Sequence, residues 1–252
     1  MTRIQCMEVT VEYTQEGKGR DVVFLHGWGQ NKEMMEPLYV HMADRFRVTN
    51  LDFPGFGKSD LPPVPWGVDD YTLWFEDFTQ KTGIVDPILI AHSFGARVAI
   101  RYASRNKVHK MVLTGAAGLK PKHGIDYYAR VYTYKAAKQI FRLPFLKQYQ
   151  ENMRKQFGSS DYKNSTGVMR ASFVKIVNQD LLPYLKTITC PVLLIWGEKD
   201  DATPLWMGKV MEKEFRDAGL VVFEHDDHFA YWHQTARFLR ITDTFLKDDE
   251  VA

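Results

Sequence analysis

The chain has 252 residues, enough for one large α/β domain or for one domain that carries an insertion. With 45% hydrophobic and 25% charged residues it has the composition of a globular protein, which excludes wholesale disorder, collagen-like repetition and coiled coil. Its two cysteines, Cys6 and Cys190, lie far apart and lack the Cys/His spacing of a metal site. We therefore expect two buried thiols in a reducing compartment, without a disulfide or a metal.

Charge is unevenly distributed along the chain. Residues 116–188 hold 13 Lys and Arg against 4 Asp and Glu, a net charge of +9, whereas the remainder of the chain carries −7. Such a segment is either an ordinary solvated surface or one that attracts an acidic partner or an anionic substrate. No apolar run reaches the ~20 residues of a membrane span, and the N-terminus lacks the apolar stretch of a signal peptide. These features predict a cytoplasmic protein without a membrane span.

Short apolar segments alternate with longer amphipathic ones, which is the pattern of a parallel sheet covered by helices. We predict strands over Val9–Tyr13, Asp21–Leu25, Arg47–Leu51, Pro87–Ala91, Lys110–Thr114, Val192–Trp196 and Val221–Phe223. Helices are predicted over Glu33–Ala43, Tyr71–Lys81, Phe94–Ser104, Leu205–Phe215 and Trp232–Leu246.

The alternation stops between about Gly118 and Lys186, where helical patterns rich in Tyr, Lys and Arg replace the apolar strands. A helical insertion between two parallel strands is most simply a lid over the carboxyl ends of the strands, where open α/β sheets bind ligands. We therefore predict a core of residues 1–117 and 187–252 and a helical cap of residues 118–186. Helices in the cap are predicted over Tyr127–Ile140, Leu146–Phe157 and Val168–Asn178.

A serine lies on a tight turn between a predicted strand and a predicted helix, in the segment Ile88-Leu89-Ile90-Ala91-His92-Ser93-Phe94-Gly95. The residues two before and two after the serine, Ala91 and Gly95, are small, as a nucleophile elbow requires. Such a turn projects the Ser93 hydroxyl above the sheet at the beginning of a helix. The alternative is that Ser93 only caps that helix.

A serine nucleophile needs a base within hydrogen-bond range and a third group that fixes the tautomer of the base. In hydrolases with such an elbow the acid precedes the base in the chain. Asp200, after the strand Val192–Trp196, is the expected acid, and Asp201 is the alternative; each could instead cap the following helix. His228, after the next strand, is the expected base, with His225 as the alternative.

A tetrahedral intermediate also needs backbone N–H groups directed at its oxyanion. One is expected from Phe94, the residue after the serine. The other is expected from Trp28, in the glycine-rich loop that follows the strand Asp21–Leu25. Gly27 and Gly29 on either side of Trp28 allow a close approach of the backbone. The alternative is that this loop is an ordinary turn.

These segments, in this order, resemble the α/β-hydrolase superfamily over essentially the whole chain. The segment His26-Gly27-Trp28-Gly29 is similar to the oxyanion loop of that family, Asp52-Phe53-Pro54-Gly55-Phe56-Gly57-Lys58-Ser59 to its D-x-P-G-x-G-x-S loop, and Ala91-His92-Ser93-Phe94-Gly95 to its elbow. Asp200 and His228 stand where the family has its acid and base. The sequence departs from the family pattern at Ala91, where glycine is more usual, and at Asp226-Asp227, where glycine is frequent. The resemblance implies an α/β-hydrolase fold with an eight-stranded, mostly parallel sheet, a helical cap, and no cofactor.

The expected function is hydrolysis of small carboxylic esters through an acyl-enzyme at Ser93, oriented and activated by Asp200 and His228. A serine nucleophile argues against the halide and epoxide chemistry of the superfamily, because those members carry an aspartate. We expect no nucleic-acid partner. Four aromatic residues of the cap are expected to shape the acyl pocket: Tyr127, Tyr128, Tyr132 and Phe141.

Three other functions stay open at this point. The segment His26–Asn31 and the spacing of His225 and His228 resemble esterases that release methyl esters from pimeloyl-acyl carrier protein, and the basic cap would suit an acidic carrier protein. Arg97 resembles an arrangement in meta-cleavage hydrolases, which break a carbon–carbon bond; its other interpretation is an ordinary arginine on a helix surface. The third alternative is a hydrolase-fold receptor that binds a ligand without catalysis.

Overall fold

Eight strands form a single sheet in the computed structural model, which describes residues 2–120 and 160–249. Their order across the sheet is β1-β2-β4-β3-β5-β6-β7-β8. Strand β2 pairs antiparallel with β1 and β4, and all other neighbouring strands are parallel. The eight-stranded, mostly parallel sheet expected from the sequence is confirmed. The strands are β1 (Thr2–Cys6), β2 (Val9–Glu16), β3 (Asp21–Leu25), β4 (Arg47–Leu51), β5 (Ile88–His92), β6 (Lys110–Thr114), β7 (Val192–Gly197) and β8 (Ala218–Phe223).

Helices cover both faces of the sheet, because successive side chains of a strand point to opposite sides. In β3, Val23 and Leu25 belong to the apolar cluster that includes α2, α3 and α7, whereas Val22 and Phe24 belong to the cluster that includes α1 and α9. The described helices are a 3₁₀ turn (Lys32–Met35), α1 (Glu36–Met42), α2 (Val68–Thr82), α3 (Phe94–Ala103), α4 (Ser160–Asn164), α5 (Gly167–Asn178), α6 (Leu182–Leu185), α7 (Trp206–Glu214), α8 (Ala230–His233) and α9 (Thr235–Leu246).

The first strand and the last predicted helix differ from the sequence prediction. Strand β1 was not predicted, because its side chains are mostly exposed and Thr2–Cys6 therefore lacks a continuous apolar run. The helix predicted over Trp232–Leu246 is two helices, α8 and α9, separated at Gln234, whose φ of −113° and ψ of 46° are not helical. Both cysteines are buried free thiols, as expected, and burial raises the pKa of each to about 11.

Between β6 and β7 the structure describes residues 160–186, which form α4, α5 and α6. Helix α5 is the helix predicted over Val168–Asn178, and it packs on the core through Met169 and Ile176. The other two predicted cap helices, and the four aromatic residues expected to shape the acyl pocket, lie outside the described residues. The division of the chain into core and cap stays a prediction. None of the helices in the described ranges is long and apolar enough to cross a bilayer.

Candidate active site

Ser93 occupies the turn between β5 and α3 with φ of 49° and ψ of −107°, a conformation that residues other than glycine rarely adopt. The Ser93 N–H donates to the Thr114 carbonyl at 3.1 Å, and the Ser93 carbonyl accepts from Ala117 N–H at 3.2 Å. A Cβ atom at Gly95 would overlap the carbonyl oxygen of Leu25, so only glycine fits that position. Because the Ser93 side chain makes no capping hydrogen bond in the described part of α3, helix capping does not account for a serine here.

Asp200 and His228 follow β7 and β8, and the structure brings them together. His228 Nδ1 lies 2.8 Å from Asp200 Oδ2, and Asp200 is only 4% exposed. Because a carboxylate can only accept, Nδ1 carries a proton, and in the neutral ring this leaves the lone pair on Nε2. The alternative residues lie outside this pair: Asp201 is exposed, and His225, with a side chain 82% exposed, faces Glu198 at 3.6 Å.

Thr203 completes the surroundings of the Asp200 carboxylate, and the sequence analysis missed it. Its N–H donates to Asp200 Oδ1 at 2.8 Å. Its hydroxyl lies 2.8 Å from Asp200 Oδ2 and 3.0 Å from the Gly115 carbonyl oxygen. Asp200 therefore shapes the turn before α7 and orients His228 at the same time. An Asp followed closely by Thr is typical of such a turn, and this signal could have indicated Thr203.

The loop that carries His228 is held from both sides. A Cβ atom at Gly197 would overlap the Asp227 carbonyl oxygen, so the end of β7 lies directly against this loop. The Asp226 carboxylate accepts from His233 Nδ1 at 2.7 Å, and this hydrogen bond raises the pKa of His233. Asp226, Asp227 and His233 also have the spacing of potential metal ligands. The hydrogen bond between Asp226 and His233 already accounts for the cluster, and nothing else indicates a metal there.

His92 connects the elbow to His228. Its ring centroid lies 4.7 Å from that of His228 and 4.7 Å from that of Tyr231. Its Nδ1 lies 3.1 Å from the Thr114 carbonyl oxygen, to which it donates. Burial lowers the pKa of His92 well below its ordinary value, and the nearby His228 lowers it further. His92 is therefore a neutral ring that packs against His228, and it immediately precedes Ser93 in the chain.

Trp28 and Phe94, the expected oxyanion donors, are neighbours. Their rings meet edge to face with centroids 5.3 Å apart, and both residues are buried. Within residues 2–120 and 160–249, neither backbone N–H has a hydrogen-bond acceptor. Buried backbone donors are rarely left without a partner, so two such donors beside a strained serine fit an anion-binding position.

The loop around Trp28 is shaped by buried hydrogen bonds. The Gln30 side chain accepts from Gly27 N–H at 2.8 Å. His26 Nδ1 lies 2.7 Å from the Gly27 carbonyl oxygen, and His26 Nε2 accepts from Phe53 N–H at 3.0 Å. Burial lowers the pKa of His26 to about 4, so the ring is neutral and its two nitrogens take one donor and one acceptor role. His26 thereby joins the oxyanion loop to the loop that begins at Asp52.

Arg97 is buried, not on a helix surface. Its residue is 5% exposed, and Nη1 donates to the Gln179 carbonyl oxygen at 2.8 Å. Burial lowers the pKa of Arg97 to about 10. Because Gln179 directly follows α5, this hydrogen bond fixes the C-terminal end of α5 to α3.

Comparison with known proteins gives a consistent result. Residues 22–241 match the family model described as "Alpha/beta hydrolase family". The chain is 27% identical to the AB hydrolase superfamily protein YisY of Bacillus subtilis, over 90% of this chain and 91% of that protein. It is 25% identical to a 2-hydroxy-6-oxo-6-phenylhexa-2,4-dienoate hydrolase of Comamonas testosteroni, over 94% and 91% of the two chains.

The proteins similar to this chain also include an esterase of the kind that the segment His26–Asn31 resembles. The pimeloyl-[acyl-carrier protein] methyl ester esterase of Legionella pneumophila is 22% identical over 95% of this chain and 100% of that protein. Among solved structures, an esterase from Exiguobacterium antarcticum superposes with a TM-score of 0.75 at 24% identity, covering 98% of this chain and 99% of the other. That likeness shows the fold. Since the family model spans most of the sequence, the chain belongs to the α/β hydrolase family.

Proposed function

We propose that this hydrolase cleaves carboxylic esters through an acyl-enzyme at Ser93. The observation that carries the proposal is the 2.8 Å hydrogen bond between His228 Nδ1 and Asp200 Oδ2 beside the strained elbow. This bond leaves His228 Nε2 as a base, and a base of fixed tautomer is what a serine hydroxyl needs to become a nucleophile.

The proposed reaction has two halves. In the first, Ser93 Oγ attacks the acyl carbon while its proton passes to His228 Nε2, and the Trp28 and Phe94 N–H groups donate to the oxyanion. The bond between the acyl carbon and the alcohol oxygen then breaks, and His228 returns the proton to the leaving alcohol. In the second half, water attacks the acyl-enzyme by the same proton transfers and releases the acid. Asp200 stabilises the imidazolium in both halves.

The surroundings of His228 support this role. Asp200 is held by the Thr203 N–H and hydroxyl at 2.8 Å each, so its carboxylate keeps a fixed orientation toward His228. The neutral ring of His92, 4.7 Å away, adds no second positive charge as His228 becomes cationic. Both contacts favour proton transfer to His228 and not merely its burial.

The test is hydrolysis of p-nitrophenyl esters from acetate to laurate by the wild type and by Ser93→Ala. We expect turnover to fall on the order of 10⁴-fold or more, because the nucleophile is lost while the fold is kept. Ser104→Ala, at the other end of α3, is the matched control and should keep full activity. Covalent labelling by a fluorophosphonate should likewise require Ser93. Ester turnover that survives Ser93→Ala would refute the proposal.

A narrower substrate class is favoured by two observations. One is the pimeloyl-[acyl-carrier protein] methyl ester esterase similarity over that protein's full length, and the other is the net charge of +9 in residues 116–188. An ester on an acidic carrier protein would then be hydrolysed more slowly as salt rises, because screening weakens long-range attraction. The free methyl ester provides the control, since its rate should not follow the salt concentration. Equal salt dependence of the two substrates would remove this candidate.

The remaining two candidates have less support. Arg97, which suggested cleavage of a carbon–carbon bond, is occupied by Gln179 and has a structural role. The similarity to the Comamonas testosteroni hydrolase is a reason to test cleavage of a carbon–carbon bond. The assay is the loss of colour of a meta-cleavage diketone in the presence of the enzyme. A ligand receptor has no need of a histidine oriented by a buried carboxylate, and it should not be labelled stoichiometrically at Ser93.

A further inference from the structure

Helix α4 lies against the oxyanion loop. The Trp28 indole Nε1 donates to Ser165 Oγ at 3.1 Å, and Ser165 Oγ donates in turn to the Asp161 carbonyl oxygen at 2.7 Å. The Phe173 ring of α5 also packs on the indole, with centroids 5.3 Å apart. Trp28, whose N–H is a proposed oxyanion donor, is therefore also the residue that positions α4.

This arrangement places the Asp161 carboxylate beside Gly29 of the oxyanion loop. Asp161 Oδ1 lies 3.9 Å from the position that a Cβ atom would take at Gly29. Gly29 is exposed, so the carboxylate faces an open part of the loop and not the core. Asp161 itself is half-buried, and burial raises its pKa while the nearby His228 opposes that shift. Asp161 therefore lies within electrostatic range of the proposed base.

The charge of Asp161 is unusual for its surroundings. Residues 160–186 contain Asp161 and Asp180 as their acidic members, against four Lys and Arg. Across the described ranges Asp161 forms no ion pair, whereas Arg170 donates to the Ser165 carbonyl at 2.7 Å and stacks on Tyr162. Among the residues that the structure describes, no Lys or Arg pairs with this acidic side chain beside the oxyanion loop.

We propose that Asp161 is a specificity-determining residue that favours ester substrates carrying a cationic group near the scissile bond and disfavours substrates carrying a carboxylate there. The inference rests on the proposed ester hydrolysis at Ser93. Asp161 lies beside the loop that carries a proposed oxyanion donor and within electrostatic range of the proposed base, and a half-buried carboxylate acts on a nearby charge more strongly than an exposed one.

Two pairs of isosteric esters test this. Acetylcholine and 3,3-dimethylbutyl acetate differ by a positive charge in the alcohol, and methyl 4-(trimethylammonio)butanoate and methyl 5,5-dimethylhexanoate differ by the same charge in the acyl group. For at least one pair we expect the wild type to prefer the cationic ester in kcat/KM. Asp161→Asn should lower the ratio of cationic to neutral ester by about fivefold or more. The preference should also shrink as salt rises.

Matched variants separate specificity from folding. Asp161→Glu keeps the charge and should keep the preference, and Asp180→Asn removes the other acidic residue of this segment and should leave the ratio unchanged. The rate of Asp161→Asn on the neutral esters should stay within about twofold of the wild type, which also shows that the variant is folded. A ratio within twofold of the wild type for both pairs would overturn the proposal. If the wild type hydrolysed none of the four esters, the failure would lie with the proposed function itself.

Discussion

Thr203 shows how much depends on one hydroxyl. It donates to the carboxylate that orients His228, at 2.8 Å, and the site is buried. A hydrogen bond to a charged group contributes about 1.5–3 kcal/mol, so its loss should lower kcat about tenfold or more. Thr203→Val has nearly the same shape and removes the hydroxyl, with its contacts to Asp200 Oδ2 and to the Gly115 carbonyl oxygen, while the carboxylate keeps its bond to the backbone N–H. The measurement is kcat on the best p-nitrophenyl ester, with circular dichroism to confirm the fold.

Thr203→Ser is the control for that change. Serine keeps the hydroxyl and loses a methyl group, so we expect most of the activity to remain. A Thr203→Val enzyme as fast as the wild type would mean that the backbone N–H alone holds Asp200. Loss of activity in both variants would instead indicate that the methyl group, through packing, is needed as well as the hydroxyl.

At this scale the sequence indicated candidate residues from motif and order. Ser93 became a candidate because a strand, a small-residue turn and a helix surround it, and Asp200 and His228 because each follows a strand. The structure places Asp200 against His228, and the catalytic roles stay predictions. His92 and Arg97 were not recognised, since their roles depend on what packs against them. Arg97 carries a charge on an amphipathic helix, and the hydrogen bond that it donates to the Gln179 carbonyl oxygen becomes visible only in the fold.

The oxyanion loop and the loop after β4 are joined by a buried ionic network. Lys32 Nζ lies 2.7 Å from Glu12 Oε1 and 3.4 Å from Asp52 Oδ2, and all three residues are less than 10% exposed. The Lys32 N–H donates to Asp52 Oδ1 at 2.7 Å as well. Lys32 thereby fixes the 3₁₀ turn that follows the oxyanion loop.

Replacing this lysine should be costly. Lys32→Met would leave the Glu12 and Asp52 carboxylates buried without their shared cation, which typically costs about 3–5 kcal/mol of unfolding free energy. The control is Lys58→Met: Lys58 approaches the same Glu12 at 3.7 Å from a side chain 58% exposed, and such pairs contribute at most about 1 kcal/mol. Urea unfolding measures both. Equal stability losses in the two variants would show that burial of the pair is not what matters.

Elements were predictable where burial repeats along the segment. Strands β3, β5 and β7 are buried at every position, and their continuous apolar runs indicated them correctly. Strand β1 pairs with β2 at the edge and leaves four of its five residues at least partly exposed, so its pattern is that of a polar segment. The sequence predicted one helix where the structure has the end of α8 followed by α9, because the break at Gln234 leaves no signal in hydrophobic periodicity.

Among the described residues of the whole molecule, two histidines beside the candidate active site are fully buried, His26 and His92. Burial lowers the pKa of His26 to about 4 and that of His92 well below its ordinary value of 6.5. Between pH 6.5 and 4 the unfolded chain therefore binds protons that the folded protein does not. The unfolding free energy consequently rises with pH in this window, and the contribution of the two histidines reaches its full value above about pH 6.5. Neither residue could be assigned this behaviour from the sequence, because it follows from packing on every side.

The loss on acidification can be measured. Between pH 7.5 and 5.0, a histidine whose pKa falls from 6.5 to about 4 contributes on the order of 2 kcal/mol, which His92 should augment. The hydrogen bond with Asp226 raises the pKa of His233, so His233 stabilises the fold at low pH and opposes this trend, but it is half exposed and weak. Urea unfolding of the wild type at both pH values should show the loss, and His26→Asn should reduce it.

The control is His225→Asn, because His225 is exposed and tolerates asparagine at its φ of 61°. This variant should lose stability between pH 7.5 and 5.0 as the wild type does. His26→Asn should be less stable at pH 7.5, since it loses two buried hydrogen bonds, but its difference in stability between the two pH values should be smaller. If the loss of stability between pH 7.5 and 5.0 were the same in His26→Asn as in the wild type, His26 would gain its proton in the folded protein. The hydrogen bonds of His26 to the two loops would then tolerate a charge.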